Sequence, residues 1–179
     1  MYPSTEAKKP VLVLGVGNII QTDDGVGVYA VERLREYALA PEVELVDGGI
    51  AGIDLLSIID GRSRMIVIDA VDAGLEPGTL LRFTPEDMAD NLVPAQSLHQ
   101  VGLLETLQMA ALLGRAPEHT VIFGVQPGEV DWGLSLTKEI EGKLDLLLEH
   151  VIEEIGRQVE LCREEGICSD KTGGSCERE

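Results

Sequence analysis

Apolar residues along the chain alternate between short dense runs and longer stripes at helical spacing. Val11–Val16 and Met65–Ile68 are dense runs of the kind found in strands buried on both faces, and Glu42–Val46, Thr79–Phe83 and Thr120–Val125 read as further strands. Between them Val26, Val28, Val31, Leu34 and Ala38 recur at helical intervals, as do Ile53, Leu55, Leu56, Ile58 and Ile59. Leu103, Leu104, Leu107, Ala110, Ala111 and Leu113 predict another helix, closed by Gly114. The last helix is capped by Thr137 and carries the stripe Ile140, Leu144, Leu147, Leu148, Val151, Ile152 and Ile155. Residues 84–96 are polar and read as a loop with a helical turn. Strands alternating with helices predict a three-layer α/β/α sandwich, phosphorylase/hydrolase-like, around a five-stranded sheet that is largely parallel or mixed.

The same pattern divides the chain into a loose leader over 1–9, one α/β domain over 10–160 and a mobile, acidic, cysteine-bearing tail over 161–179. Lys8-Lys9 before an apolar run has the look of a signal peptide. The run instead holds Gly15 and Gly17, leads into Gln21-Thr22-Asp23-Asp24 and lacks a small-residue cleavage site, so it is read as the first strand. Cys162, Cys168 and Cys176 all fall at the end of the sequence, which is no extracellular disulfide framework. They match no common zinc spacing and are read as exposed tail thiols of a cytoplasmic protein.

Charge narrows the partners. Fourteen Lys and Arg stand against 32 Asp and Glu, a formal net charge of −18. Such a chain repels phosphate backbones and anionic membrane surfaces, so neither nucleic acid nor membrane is expected as a partner. No apolar run reaches the length of a membrane span. A basic protein partner or a metal cation suits the charge, and one domain of this size can stand as a monomer.

In sheets of this kind ligands bind beyond the carboxyl ends of the strands. Strand one is followed by Gly15-Val16-Gly17-Asn18 and then Asp23-Asp24-Gly25, strand two by Asp47-Gly48-Gly49, strand three by Asp69 and Asp72. The loop after the fourth run leads to Ser97-Leu98-His99-Gln100-Val101-Gly102, immediately before a helix. A dinucleotide fingerprint fails because Ile20 stands where a third Gly is needed and Asp23 and Asp24 would face the pyrophosphate. No Gly-x-Ser-x-Gly is present for a serine hydrolase. Asp24, Asp69 and His99 offer two carboxylates and an imidazole from three loops, an open donor set suited to zinc, iron or nickel. Each also has an ordinary role: Asp24 as a helix cap, Asp69 as a turn former, His99 as a cap of the next helix. Asp23 is expected to be the helix cap, Asp47 to orient the Gly48-Gly49 turn, and Asp72 to be a loop acid. His119 and His150 are not expected to be ligands.

At these residues the sequence resembles the maturation endopeptidases of nickel–iron hydrogenases. The matching motifs are Leu-Gly-Val-Gly-Asn at 14–18, Asp23-Asp24-Gly25-Val26-Gly27, Asp47-Gly48-Gly49-Ile50-Ala51-Gly52, Ile68-Asp69-Ala70, Ser97-Leu98-His99-Gln100-Val101-Gly102 and Gly124-Val125-Gln126-Pro127, in order over about residues 10–157. The resemblance implies a peptidase that removes the C-terminal extension of a hydrogenase large-subunit precursor after nickel insertion. It implies that Asp24, Asp69 and His99 contact the nickel, which the substrate carries and for which zinc or cadmium can substitute. These three are the expected catalytic and metal residues, with Asp47 as a further catalytic candidate. The first-loop acid is Glu in some relatives and Asp here, an arm one methylene shorter. Two other readings use the same residues: a nickel metallochaperone that cleaves nothing, and an acidic binding module for hydrogenase assembly.

Overall fold

The structure, a computed structural model, describes residues 8–50, 52, 54–89 and 98–167, with the backbone alone for 88–89 and 98–101. Five strands form one sheet: β1 (Val11–Val16), β2 (Val43–Gly49), β3 (Arg64–Ala70), β4 (Leu80–Phe83) and β5 (His119–Val125), in the order β2-β1-β3-β5-β4. The first four in that order are parallel, and β4 runs antiparallel to β5 at the edge. The sheet is therefore mixed, within the predicted class. Every residue of β1 and β3 is buried, as their dense apolar runs require of central strands.

Helices cover both faces. Helices α1 (Val26–Leu34) and α5 (Lys138–Glu164) pack on the face presenting Val11, Val13, Ile66, Ile68 and Val121. Helices α2 (Leu55–Ile59) and α4 (Leu98–Leu112) cover the opposite face, with Leu12, Leu14, Met65, Val67 and Ile122. A short α3 (Pro85–Ala89) supplies the turn expected within 84–96. After β1 the chain leaves toward α1 on one face, whereas β3 is followed, by way of β4 and α3, by α4 on the other. The carboxyl ends of β1 and β3 thus flank a topological switch point, the place where such sheets open a crevice.

Three boundaries differ from the sequence pattern. Helix α1 stops at Leu34, not Ala38, because Arg35, Glu36 and Tyr37 donate to carbonyls three residues back and tighten the chain into a turn. Helix α4 begins at Leu98, so His99 lies in its first turn and not ahead of it. Helix α5 continues through Glu164, past the expected start of a tail at 161. Its last turns are tied to distant strand ends: Arg64 donates to Gln158 (2.7 Å) and Glu165 (2.5 Å), and Arg163 donates to Glu42 (2.7 Å). Burial alone would push the nearby Glu154 carboxyl up, but hydrogen bonds from Arg157 and Gln158 and the Arg82 charge hold it below the ordinary glutamate range. Cys162 is fully buried in the α1–α5 core and disulfide-bonded, which corrects its reading as an exposed thiol and removes the free-thiol argument for compartment. Cys168 and Cys176 lie outside the described residues. Among those residues no helix is long and apolar enough to cross a membrane.

Candidate active site

At this switch point α1 sits close to the sheet. A side chain on Gly27 would place its Cβ 2.1 Å from the Ile68 carbonyl oxygen and 2.3 Å from that of Val16. Gly27 therefore presses the first turn of α1 against the backbones of β1 and β3. Gly17, at φ 139°, does the same for the turn ahead: a Cβ there would lie 1.9 Å from the Asp24 carbonyl oxygen. Between them the chain forms a single 3-10 turn, Thr22–Gly25, which packs against β3.

This close seat packs the turn that carries Asp24 against β3, the strand that carries Asp69. Asp24, in the 3-10 turn, is buried and its Oδ2 accepts from the Asn18 backbone N–H at 3.0 Å. The α1 N-terminus has no side-chain cap, so Asp24 does not serve as one. Asp69 lies within β3, only 1% exposed, so it is no turn former. By strand alternation it shares the sheet face of Met65, Val67 and Val71, the face that α2 and α4 cover. His99 is in the first turn of α4, and its side chain lies outside the described residues. Among the described residues no three His, Cys, Asp or Glu side chains form a metal-sized group, so the two acids need a third donor from elsewhere. Two carboxylates with an imidazole are a donor set that fits a borderline transition metal.

Asp47 is exposed at the tip of β2, and its Oδ1 accepts from the Gly49 N–H at 2.8 Å, as its turn-orienting role predicts. Asp72 is likewise exposed; its Oδ1 accepts from Gly74 N–H and from the Gln126 amide. His119 opens β5 at the opposite end of the sheet, and His150 is on the exposed side of α5, 3.9 Å from Glu153.

Two residues have roles that sequence reasoning missed. Asp23 does not cap α1. Fully buried, it accepts hydrogen bonds from the backbone N–H groups of Gly128, Glu129 and Thr137 and from the Thr137 hydroxyl, at 2.7–3.0 Å. It thereby fastens the loop after β5 to the turn that carries Asp24. Asp23→Ala leaves these donors without their acceptor and is expected to lower stability by about 3 kcal/mol, read by denaturant unfolding; an unchanged midpoint would mean water replaces the carboxylate without loss. The second is Gln126, buried at the end of β5, whose Oε1 accepts from Ala73 and Leu75 N–H at 2.8 and 3.1 Å and so shapes the loop after β3. Neither leaves a local pattern, although Gln126 stands within the quoted Gly-Val-Gln-Pro motif.

The family model for HycI, hydrogenase maturation protease, matches residues 28–154. The chain belongs to the hydrogenase maturation protease family. It is a peptidase. The match begins just past Asp24 and includes Asp47, Asp69 and His99. Among its relatives, the hydrogenase expression/formation protein HupD of Bradyrhizobium diazoefficiens is 41% identical over 146 residues, 79% of this chain and 76% of that protein. The hydrogenase 2 maturation protease of Escherichia coli is 35% identical over 144 residues, 79% of this chain and 88% of its own length. Among solved structures, the hydrogenase maturating endopeptidase HybD from E. coli superposes with a TM-score of 0.77 at 34% identity, covering 83% of this chain and 93% of that one. For this maturation protease the five-stranded mixed sheet is thus the family's fold.

Proposed function

We propose that this protease removes the C-terminal extension of a nickel–iron hydrogenase large-subunit precursor once nickel has been inserted, and that Asp24, Asp69 and His99 recognise that nickel. The observation that supports the reading is the burial of two carboxylates, Asp24 in the turn before α1 and Asp69 in β3, on elements that pack against each other. The metal is part of the substrate, so a site with few protein donors and open positions is what recognition needs. Gly49, where an added Cβ would meet nothing closer than Asp47 Oδ1 at 3.9 Å, leaves room for an extended backbone to approach.

In this reading Asp24 and Asp69 hold the charge of the incoming centre, and His99 contributes from the first turn of α4. Nickel carried by the substrate beside the scissile bond would polarise its carbonyl or activate a water. A carboxylate moves the protons, to the leaving amine in the end; Asp47, in register with Gly15 on the neighbouring strand, is the further acid available as general base.

The test is the intact mass of a large-subunit precursor incubated with this protein, with and without prior nickel loading. Loss of a C-terminal peptide from the loaded form alone is the expected result. Cleavage of both forms would keep the peptidase and remove the role of nickel. Absence of cleavage by a folded sample, over several precursors, would favour a metal-holding chaperone.

A further inference from the structure

Beside the crevice the protein exposes large apolar side chains on a surface held unusually firmly. Ile19 and Ile20 follow strand β1, and Val130, Trp132 and Leu134 follow β5, all at least two-fifths exposed, with Trp132 at 76% and Leu134 at 75%. Trp132 is the single tryptophan of a chain with 3% aromatic residues. The two loops are joined by a parallel bridge between Gln21 and Gly133, with Gly133 N–H donating to Ile20 and Thr22 N–H to Gly133. That bridge sets the backbones of Ile20 and Trp132 side by side. The backbone beneath is pinned: Thr22, at φ 28°, donates to the Glu129 carbonyl at 2.7 Å and accepts from Asp131 N–H at 3.1 Å. Asp131 Oδ1 accepts from Trp132 N–H at 2.7 Å, and the Tyr29 hydroxyl donates to the Leu134 carbonyl at 2.8 Å. A β-branched residue at positive φ is strained, and it is kept there by these bonds.

We infer that loops 18–22 and 128–136 form a docking platform for the substrate protein, taking an apolar patch flanked by basic residues next to the segment to be cut. Nothing about folding calls for these side chains to face solvent, and a rigid, exposed Trp among aliphatic neighbours is the make-up of a binding hot spot. The occupant follows from continuity and charge. Thr22 of the platform and Asp24 of the crevice belong to one 3-10 turn, so a protein cut at the crevice passes over the platform. Its exposed rim carries Glu129 and Asp131, on a chain of net charge −18, which selects a basic border on the partner. The far end of α4 exposes Leu112 too, but where α4 leads back to the opposite end of the sheet, away from the crevice.

This inference rests on the proposed precursor processing, and its test separates the two. Steady-state cleavage of nickel-loaded precursor by Trp132→Ala is expected to show KM raised at least about 10-fold with kcat little changed, as for a hot spot that contributes binding alone. Trp132→Phe restores most of the loss, and Leu112→Ala leaves both constants as in the wild type. The protein labelled with 5-fluorotryptophan gives one 19F resonance, which is expected to shift when excess precursor is added. An unchanged KM in Trp132→Ala, or an unmoved 19F resonance in the presence of precursor, overturns the platform while leaving the protease reading intact. A wild type that cleaves no precursor overturns the protease reading, and the 19F shift then still decides whether the platform docks it.

Discussion

Asp69→Asn is expected to lower the rate of processing of nickel-loaded precursor at least about 100-fold, because even the outer partners of metal ligands cost 10–100-fold when lost. The amide keeps the shape of the side chain and removes its negative charge. Asp69 is inside a fully buried strand, so the charge is the feature to explain, and a structural role would be served by the neutral isostere. His99→Ala is expected to act in the same direction. Asp47→Asn distinguishes the parts: a fall in kcat with little change in KM would make Asp47 the general base, whereas wild-type kinetics would leave it as the turn former its 2.8 Å bond to Gly49 describes. Time courses of intact mass read all three variants, with thermal unfolding as the control for fold. Wild-type rates for Asp69→Asn would remove that carboxylate from the machinery.

Gly27→Ala is the second large effect, and it acts on the scaffold. The added Cβ meets two main-chain oxygens, Ile68 O at 2.1 Å and Val16 O at 2.3 Å, and neither can rotate away as a side chain does. Helix α1 must part from β1 and β3. Overpacking of this kind costs about 3 kcal/mol or more, at the upper end of the usual range. For a domain of this size that is a fall in Tm of about 10 °C. Processing falls with it, since the turn carrying Asp24 immediately precedes α1. An unchanged Tm would show that α1 is seated less closely than 2 Å-scale conflicts imply, and the crevice would then owe its shape to the loops alone.

These two residues illustrate how differently the parts of the site could be read. Asp69 stood out by its place at the end of the third apolar run, although the sequence left it level with a turn former, a role that its burial within β3 excludes. Asp24 was legible by its place after the first strand, although the sequence left it level with a helix cap until the uncapped start of α1 decided the matter. His99 was expected ahead of the helix, and its backbone instead lies in the first turn of α4. The wrong assignment of Asp23 has a different origin: its partners lie 105 to 114 residues along the chain. The start of the tail was set too early, at 161, for the same reason, because Arg64 and Glu42, far earlier in the sequence, hold the last turns of α5.

By itself, then, the sequence determined the sandwich, the five strands and which acids follow or end them, because hydrophobic period and turn glycines are local signals. Only the tertiary structure decided that β4 reverses, that Asp23 is a fastener and Gln126 a bracket, and that the loops after β1 and β5 are bridged through Gln21 and Gly133. Those outcomes depend on which distant backbone groups come within hydrogen-bonding reach, a property of the packed chain that no short stretch of residues contains.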